Sequence, residues 1–210
     1  GLPFAATCGR MHACGHDGHQ AVLLAVAEWA VANKDNLCGT IKFCFEPGEE
    51  GCRGGRPMAE SGILDDIDFF YTIHIGCDIP GGTVVTAPEK FLCTCKVDFA
   101  FKGTPSHAGM QPEVGRNALL AASTASIALM ALPRHGEGMT RINVGTLRAG
   151  EGRNVIASTA YMQAEVRGEN EKINRYMLEE AIARVEGAAR MYGCESSYII
   201  QGEASDFVAD

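Results

Sequence analysis

From residue 91 to residue 204 the apolar residues switch between period 2 and period 3.6 in a fixed order, and that order narrows the fold more than anything else in the chain. "CKVDFAFKG" alternates, with Cys95, Val97, Phe99 and Phe101 on one face, as a half-buried strand does. A helix over about Arg116 to Leu132 follows and is stopped by Pro133, which has no amide proton to continue it. "TRINVGTL" and "STAYMQAEVRG" read as two more strands, the second with Ala160, Met162, Ala164 and Val166 on one side. A long amphipathic helix then sets Ile173, Met177, Ala181, Val185 and Ala188 on one stripe, with Gly193 as its C-cap, and "ESSYIIQG" closes the set. The order β-α-β-β-α-β predicts a ferredoxin-like α+β domain over residues 91–204.

The first 90 residues follow a different rule. Residues 18–33 predict a helix that is apolar nearly all round, as a buried helix is. "GTIKFCFE", "DFFYTIHIG" and "GGTVVTA" read as strands, with a short helix from Pro57 to Ser61 between the first two. Helix–strand–helix–strand order predicts an α/β domain, a partial open parallel sheet covered on both faces, of which residues 1–90 form one part. Residues 205–210 read as the start of a return to it.

Composition removes several alternatives. A net charge of −8 with no block of Lys or Arg disfavours nucleic acid and anionic membrane as partners. The run "AVLLAVAEWAVA" is broken by Glu28 and falls short of the ~20 residues of a membrane span. Nine cysteines in no secreted-scaffold spacing predict reduced thiols and a cytoplasmic protein.

The chemistry gathers at "MHACGHDGH", which holds His12, Cys14, His16 and His19 around two glycines. Taken singly, each reads as an ordinary packed side chain; the cluster reads as a metal site, because Cys14 and His16 converge across a glycine-kinked turn. A zinc ribbon needs a second Cys or His pair at the short C-x₂₋₄-C or H-x₃₋₅-H spacing, and none of the remaining cysteines supplies one. Glu49 and Glu50, in the glycine-rich "PGEEG", follow one predicted strand, and His74 ends the next. In an open α/β sheet ligands gather outside such strand ends. Cys, His and carboxylate donors suit zinc- or manganese-like ions better than calcium or magnesium. Adjacent glutamates in an extended loop point different ways, so one can bind metal while the other serves as general base. With no serine elbow, water activation fits better than a covalent intermediate.

"MHACGHDGH", "PGEEG", "IHIG", "SHAG", "GRNA" and "VRGEN", in this order and spacing, resemble the amidohydrolase branch of the dinuclear aminoacylase/carboxypeptidase metallopeptidases, from residue 1 to about 202. The resemblance implies two divalent metal ions, zinc or manganese, bridged by Cys14, with His16, Glu50 and His74 as further ligands. It makes Glu49 the base that deprotonates water and then protonates the leaving amine. The ferredoxin-like domain becomes an inserted lid that also carries a homodimer contact. Through it His107 of "SHAG" reaches the partner subunit's site to stabilise the oxyanion. Asn154 and Arg167 match positions that hold the substrate's carboxylate; Arg167 shares its strand with Glu165, so a structural ion pair is the competing assignment. The implied reaction is hydrolysis of N-acyl or N-aroyl amino acids of the p-aminobenzoyl-glutamate kind.

The family pattern also has strands before residue 1 and a final histidine ligand beyond residue 210. The chain therefore reads as part of a longer polypeptide, and the alternative is a non-catalytic fragment acting as a self-association or ligand-binding module. A thiol-redox or metal-sensor module on Cys14 is a third reading.

Overall fold

The computed structural model describes residues 2–76, 79–86 and 91–206. The elements are α1 (His16–Ala32), α2 (Gly55–Glu60), β1 (Cys93–Lys102), α3 (Ala118–Met130), β2 (Thr140–Ala149), β3 (Thr159–Gly168), α4 (Glu171–Met191) and β4 (Glu195–Ala204). They divide into two compact units: Gly1–Phe45 with Leu64–Val85, and Glu46–Ile63 with Thr86–Asp210.

The second unit contains the predicted β-α-β-β-α-β order. Its four strands pair antiparallel in the order β2-β3-β1-β4, so the first and third strands are central, as a ferredoxin-like sheet requires. The inward faces are those the alternation predicts. Cys95, Val97, Phe99 and Phe101 of β1 and Ala160, Met162, Ala164 and Val166 of β3 are all buried. They pack against α3 and α4 in one core. Helix α3 offers Ala118, Ala121, Ala122, Ala125 and Leu129 to the core, small residues that let its backbone lie close. Asn117 caps it, its Oδ1 accepting from the amides of Leu119 and Leu120 at 3.0 and 3.2 Å. Helix α4 buries the whole predicted stripe. It ends as expected, with Gly193 left-handed at φ 65° and the Cys194 amide reaching back to the Ala189 carbonyl at 2.9 Å.

The first unit departs from its sequence pattern. Helix α1 forms where predicted, yet none of its residues is buried; Leu24, Trp29 and Val31 are exposed. Residues 40–46, 69–76 and 83–86 form no hydrogen-bonded ladder; Ala87 of the third segment lies outside the described residues. Phe69, Tyr71 and Val84 are 79%, 85% and 87% exposed. The physical reason is that an apolar run specifies only a strand's faces. A parallel ladder also needs neighbouring strands about 4.8 Å away on either side, and among the described residues this unit contains none.

Candidate metal centre

The first unit's donor cluster is built by the start of α1. Gly15, at φ 98° and ψ 17°, is the N-cap, in a left-handed conformation that a side chain would strain. The chain kinks there, so Cys14 just before and His16 just after point to one place. His74 joins them from the far segment: the Cys14 Sγ lies 3.4 Å from His74 Nε2. The ligand atoms of Cys14, His16 and His74 all lie within 4.8 Å of one another. The His74 Nδ1 lies 2.8 Å from the Ile75 carbonyl oxygen. A carbonyl only accepts, so Nδ1 carries the proton and the Nε2 lone pair faces the thiol. This is the tautomer a metal ligand needs, fixed by an outer hydrogen bond. One sulfur and two imidazole nitrogens fit a borderline-soft cation such as zinc. His12 is exposed and stands outside this group.

The paired carboxylates belong to the second unit. Glu49, Glu50 and Gly51 form a single 3-10 turn between Gly48, at φ 68°, and Cys52, at φ 53°. Cys52 is the one non-glycine residue of positive φ among the described residues, a strain of order 1 kcal/mol held by its surroundings. What holds it is the outer face of the sheet. The Lys96 ammonium on β1 donates to the Glu50 carbonyl. Arg53 donates to the Gln201 side chain at 2.8 Å and to its carbonyl at 3.2 Å, and Gln201 in turn donates to Asp98 at 3.0 Å. Arg56 pairs with Glu203 at 3.0 Å. These bonds pin the main chain of the turn and leave both carboxylates on the surface. Burial pushes the Cys52 thiol up, with Lys96 pulling the other way.

His107, Asn154 and Arg167 also lie in the second unit, but not together. The His107 Nδ1 accepts from the Gly109 amide at 3.2 Å, so its Nε2–H is left as a donor. His107 bridges Val155, and the Ala108 amide donates to the Asn154 carbonyl at 2.9 Å, so these two loops are joined. They sit where β1 ends and β3 begins, at the Lys102–Thr159 pair. Arg167 sits eight positions along β3 from Thr159, about 27 Å away at roughly 3.4 Å per residue. There it pairs with Glu165, the structural ion pair that competes with a substrate-binding assignment; with the arginine 48% exposed, such a pair is worth ~0–1 kcal/mol.

The sequence profile of the peptidase family M20/M25/M40 matches residues 1–207. The chain belongs to this family. It is 50% identical over 202 residues to a homolog of a p-aminobenzoyl-glutamate hydrolase subunit from Haemophilus influenzae, covering 96% of this chain and 48% of that protein. It is equally similar, 50% over 202 residues, to an indole-3-acetyl-aspartic acid hydrolase of Enterobacter agglomerans, covering 95% of this chain and 46% of that one. The crystal structure of an aminobenzoyl-glutamate utilization protein from Klebsiella pneumoniae superposes with a TM-score of 0.84 at 45% identity, over 92% of this chain and 49% of its own. The chain thus spans about half the length of the curated relatives it matches.

In this M20/M25/M40 chain three residues take part in the arrangement with partners that no sequence pattern names. Lys96 and Gly202 face each other across the β1–β4 ladder and both meet the Glu49–Gly51 turn. His19, counted above only as one more donor, accepts from the Ile75 amide at 2.9 Å through Nε2. A lysine spaced to face outward on a predicted strand was the one available signal for the first of these.

Proposed function

We propose that the protein is a metal-dependent amidohydrolase that cleaves the amide bond of N-acyl or N-aroyl amino acids, p-aminobenzoyl-glutamate among them. The observation that carries this is the convergence of Cys14, His16 and His74, with the His74 Nε2 lone pair turned into the cluster. Two divalent cations, zinc or manganese, would be held by Cys14, His16, His74 and Glu50. When bound they lower the pKa of water from ~15.7 towards ~7 and polarise the scissile carbonyl.

The chain's own groups do the rest. Glu49 takes a proton from the attacking water and returns it to the departing amine nitrogen. The Nε2–H of His107, its tautomer set by Gly109, donates to the oxyanion of the tetrahedral intermediate. Asn154 and Arg167 hold the substrate's carboxylate, Arg167 by releasing Glu165 for a stronger two-point grip. Because His107 and Asn154 lie at the opposite end of one sheet from Arg167, they serve the site of a second copy, where that copy supplies Arg167, in a homodimer formed through the ferredoxin-like domain. Working thiols at Cys14 fit a cytoplasmic setting.

The test is Glu49→Gln. Metal content measured by atomic emission should be unchanged, while turnover of p-aminobenzoyl-glutamate falls by ~10²–10⁴. Unimpaired turnover removes Glu49 from the mechanism, and loss of metal reassigns it as a ligand.

A further inference from the structure

The "CGHDGH" turn holds more than its ligands need. His16 and Cys14 account for its first half; of the second half, Asp17 is exposed, and Gly18 and His19 need an explanation. Both are directed at Ile75, the residue after His74. The Ile75 amide donates to His19 Nε2 at 2.9 Å, and the Ile75 carbonyl accepts from His74 Nδ1 at 2.8 Å. The two sides of one residue therefore link two histidine rings, which meet edge to face with centroids 4.4 Å apart. The helix makes room for that residue: a Cβ on Gly18 would stand 2.2 Å from Ile75 Cδ1, and one on Gly15 would stand 3.3 Å from Ile75 Cβ.

We infer that His19 is a positioning residue rather than a ligand, holding Ile75 so that its carbonyl keeps the His74 ring in the Nδ1–H tautomer with Nε2 aimed at the metal. A lone pair engaged by an amide proton is not available to a cation, so His19 cannot coordinate through Nε2 while this bond stands. The role needs an acceptor at the end of a side chain that reaches from α1, together with a glycine one residue earlier where Ile75 seats. Its consequence is that His74, on an exposed segment with no ladder to fix it, obtains its orientation from the first helix. Outer partners of metal-bound histidines are worth about 10–100-fold in metal affinity. The inference rests on the metal reading of Cys14, His16 and His74 above.

Two variants separate reach from chemistry. His19→Gln carries an amide oxygen where Nε2 was; His19→Asn carries the same amide one methylene short. Both are polar residues on a partly exposed helix, and far-ultraviolet circular dichroism checks that α1 persists. In the metal-free, isotope-labelled chain, long-range proton–nitrogen correlation spectra report the His74 tautomer directly. The Nδ1–H form should dominate in the unaltered chain and in His19→Gln, and both tautomers should populate in His19→Asn. Titration with cobalt(II) alone, followed by the thiolate-to-cobalt absorption, should show a ~10–100-fold weaker site in His19→Asn and near-normal binding in His19→Gln. An unchanged His74 tautomer in His19→Asn overturns the inference, and so does an equal loss of cobalt affinity in both variants. Cys14→Ser is the separate control: if it keeps the cobalt spectrum of the unaltered chain, the metal reading fails, while the tautomer measurement still decides the part played by His19.

Discussion

Replacing Gly202 by alanine tests how the paired carboxylates are held. A Cβ at this position would lie 1.9 Å from the Gly51 carbonyl oxygen and 2.8 Å from that of Cys52. Real contacts of this type stay above about 3 Å, so the turn and β4 must separate by at least ~1 Å. Strand β4 is bonded to β1 along its length, whereas the turn is one 3-10 unit fastened by Lys96 and Arg53. The turn is therefore the part that moves. Overpacking of this kind costs about 1–3 kcal/mol, and at this chain length each kcal/mol lowers Tm by ~2–4 °C. On the proposed mechanism, with Glu49 as the base, a displacement of ~1 Å loses on the order of 10²-fold in rate. Thermal melts followed by circular dichroism, and turnover of p-aminobenzoyl-glutamate, measure the two effects. Gly145→Ala on β2 is the matched control: its nearest neighbours would stand 3.8 Å away, so both readouts should stay put. If Gly202→Ala melts and turns over like the unaltered chain, β4 does not support the turn and the clamp is refuted.

Two further outcomes follow from the second unit. Burial pushes the Cys95 thiol up to about 12 and the Cys93 thiol up to about 11, from an ordinary value of 9.0. A folded-state pKa above the unfolded one means that stability is complete below pH 9 and is lost as pH rises towards 11–12, because only the unfolded chain ionises. The loss should approach ~1.4 kcal/mol per pH unit per thiol. Urea unfolding from pH 8 to 10.5 should show this slope reduced in Cys95→Val, and an unchanged slope would remove Cys95 as its source. If His107 serves a partner's site, a mixture of His107→Ala and Glu49→Gln chains, unfolded and refolded together, should regain about a quarter of normal turnover, since half the dimers then carry one intact site. No recovery would place His107 in the site of its own chain.

What was legible in the sequence is whatever a period encodes. The stripe Ile173 to Ala188 and the alternating faces of β1 and β3 were readable because each repeats against one large core, and every predicted member is buried. The segment around Phe69 to Ile75 carries an equally apolar run but no ladder, since a run names a strand's faces and says nothing of its neighbours. Cys14, His16 and His74 were legible as metal-binding residue types around a glycine kink. The supports were not. Lys96 meets Glu50 across 46 positions and His19 meets Ile75 across 56, and neither pairing leaves a local pattern. Gly202 is visible only as a glycine in a strand, which marks a close approach without naming what approaches.

The same sheet carries these supports without weakening its core, because its two faces are independent. Side chains alternate along β1, so Cys95, Val97, Phe99 and Phe101 can be buried against α3 and α4 while Lys96 and Asp98 are taken up by the turn and by Gln201. A change on the outer face, such as at Lys96, moves the turn without opening a cavity. A change on the inner face, such as Met162→Ala, should cost about 2–5 kcal/mol of stability and leave the turn's contacts as they are. The register adds a second constraint. Because β1 and β3 pair without a slip from Cys93–Gly168 to Lys102–Thr159, the end that carries Arg167 and the end that carries His107 and Asn154 are held a fixed distance apart. No side chain spans ~27 Å, so these residues can act on one substrate only if two sheets contribute opposite ends to it. On the proposed reading the dimer is therefore a requirement of the chemistry, imposed by strand length.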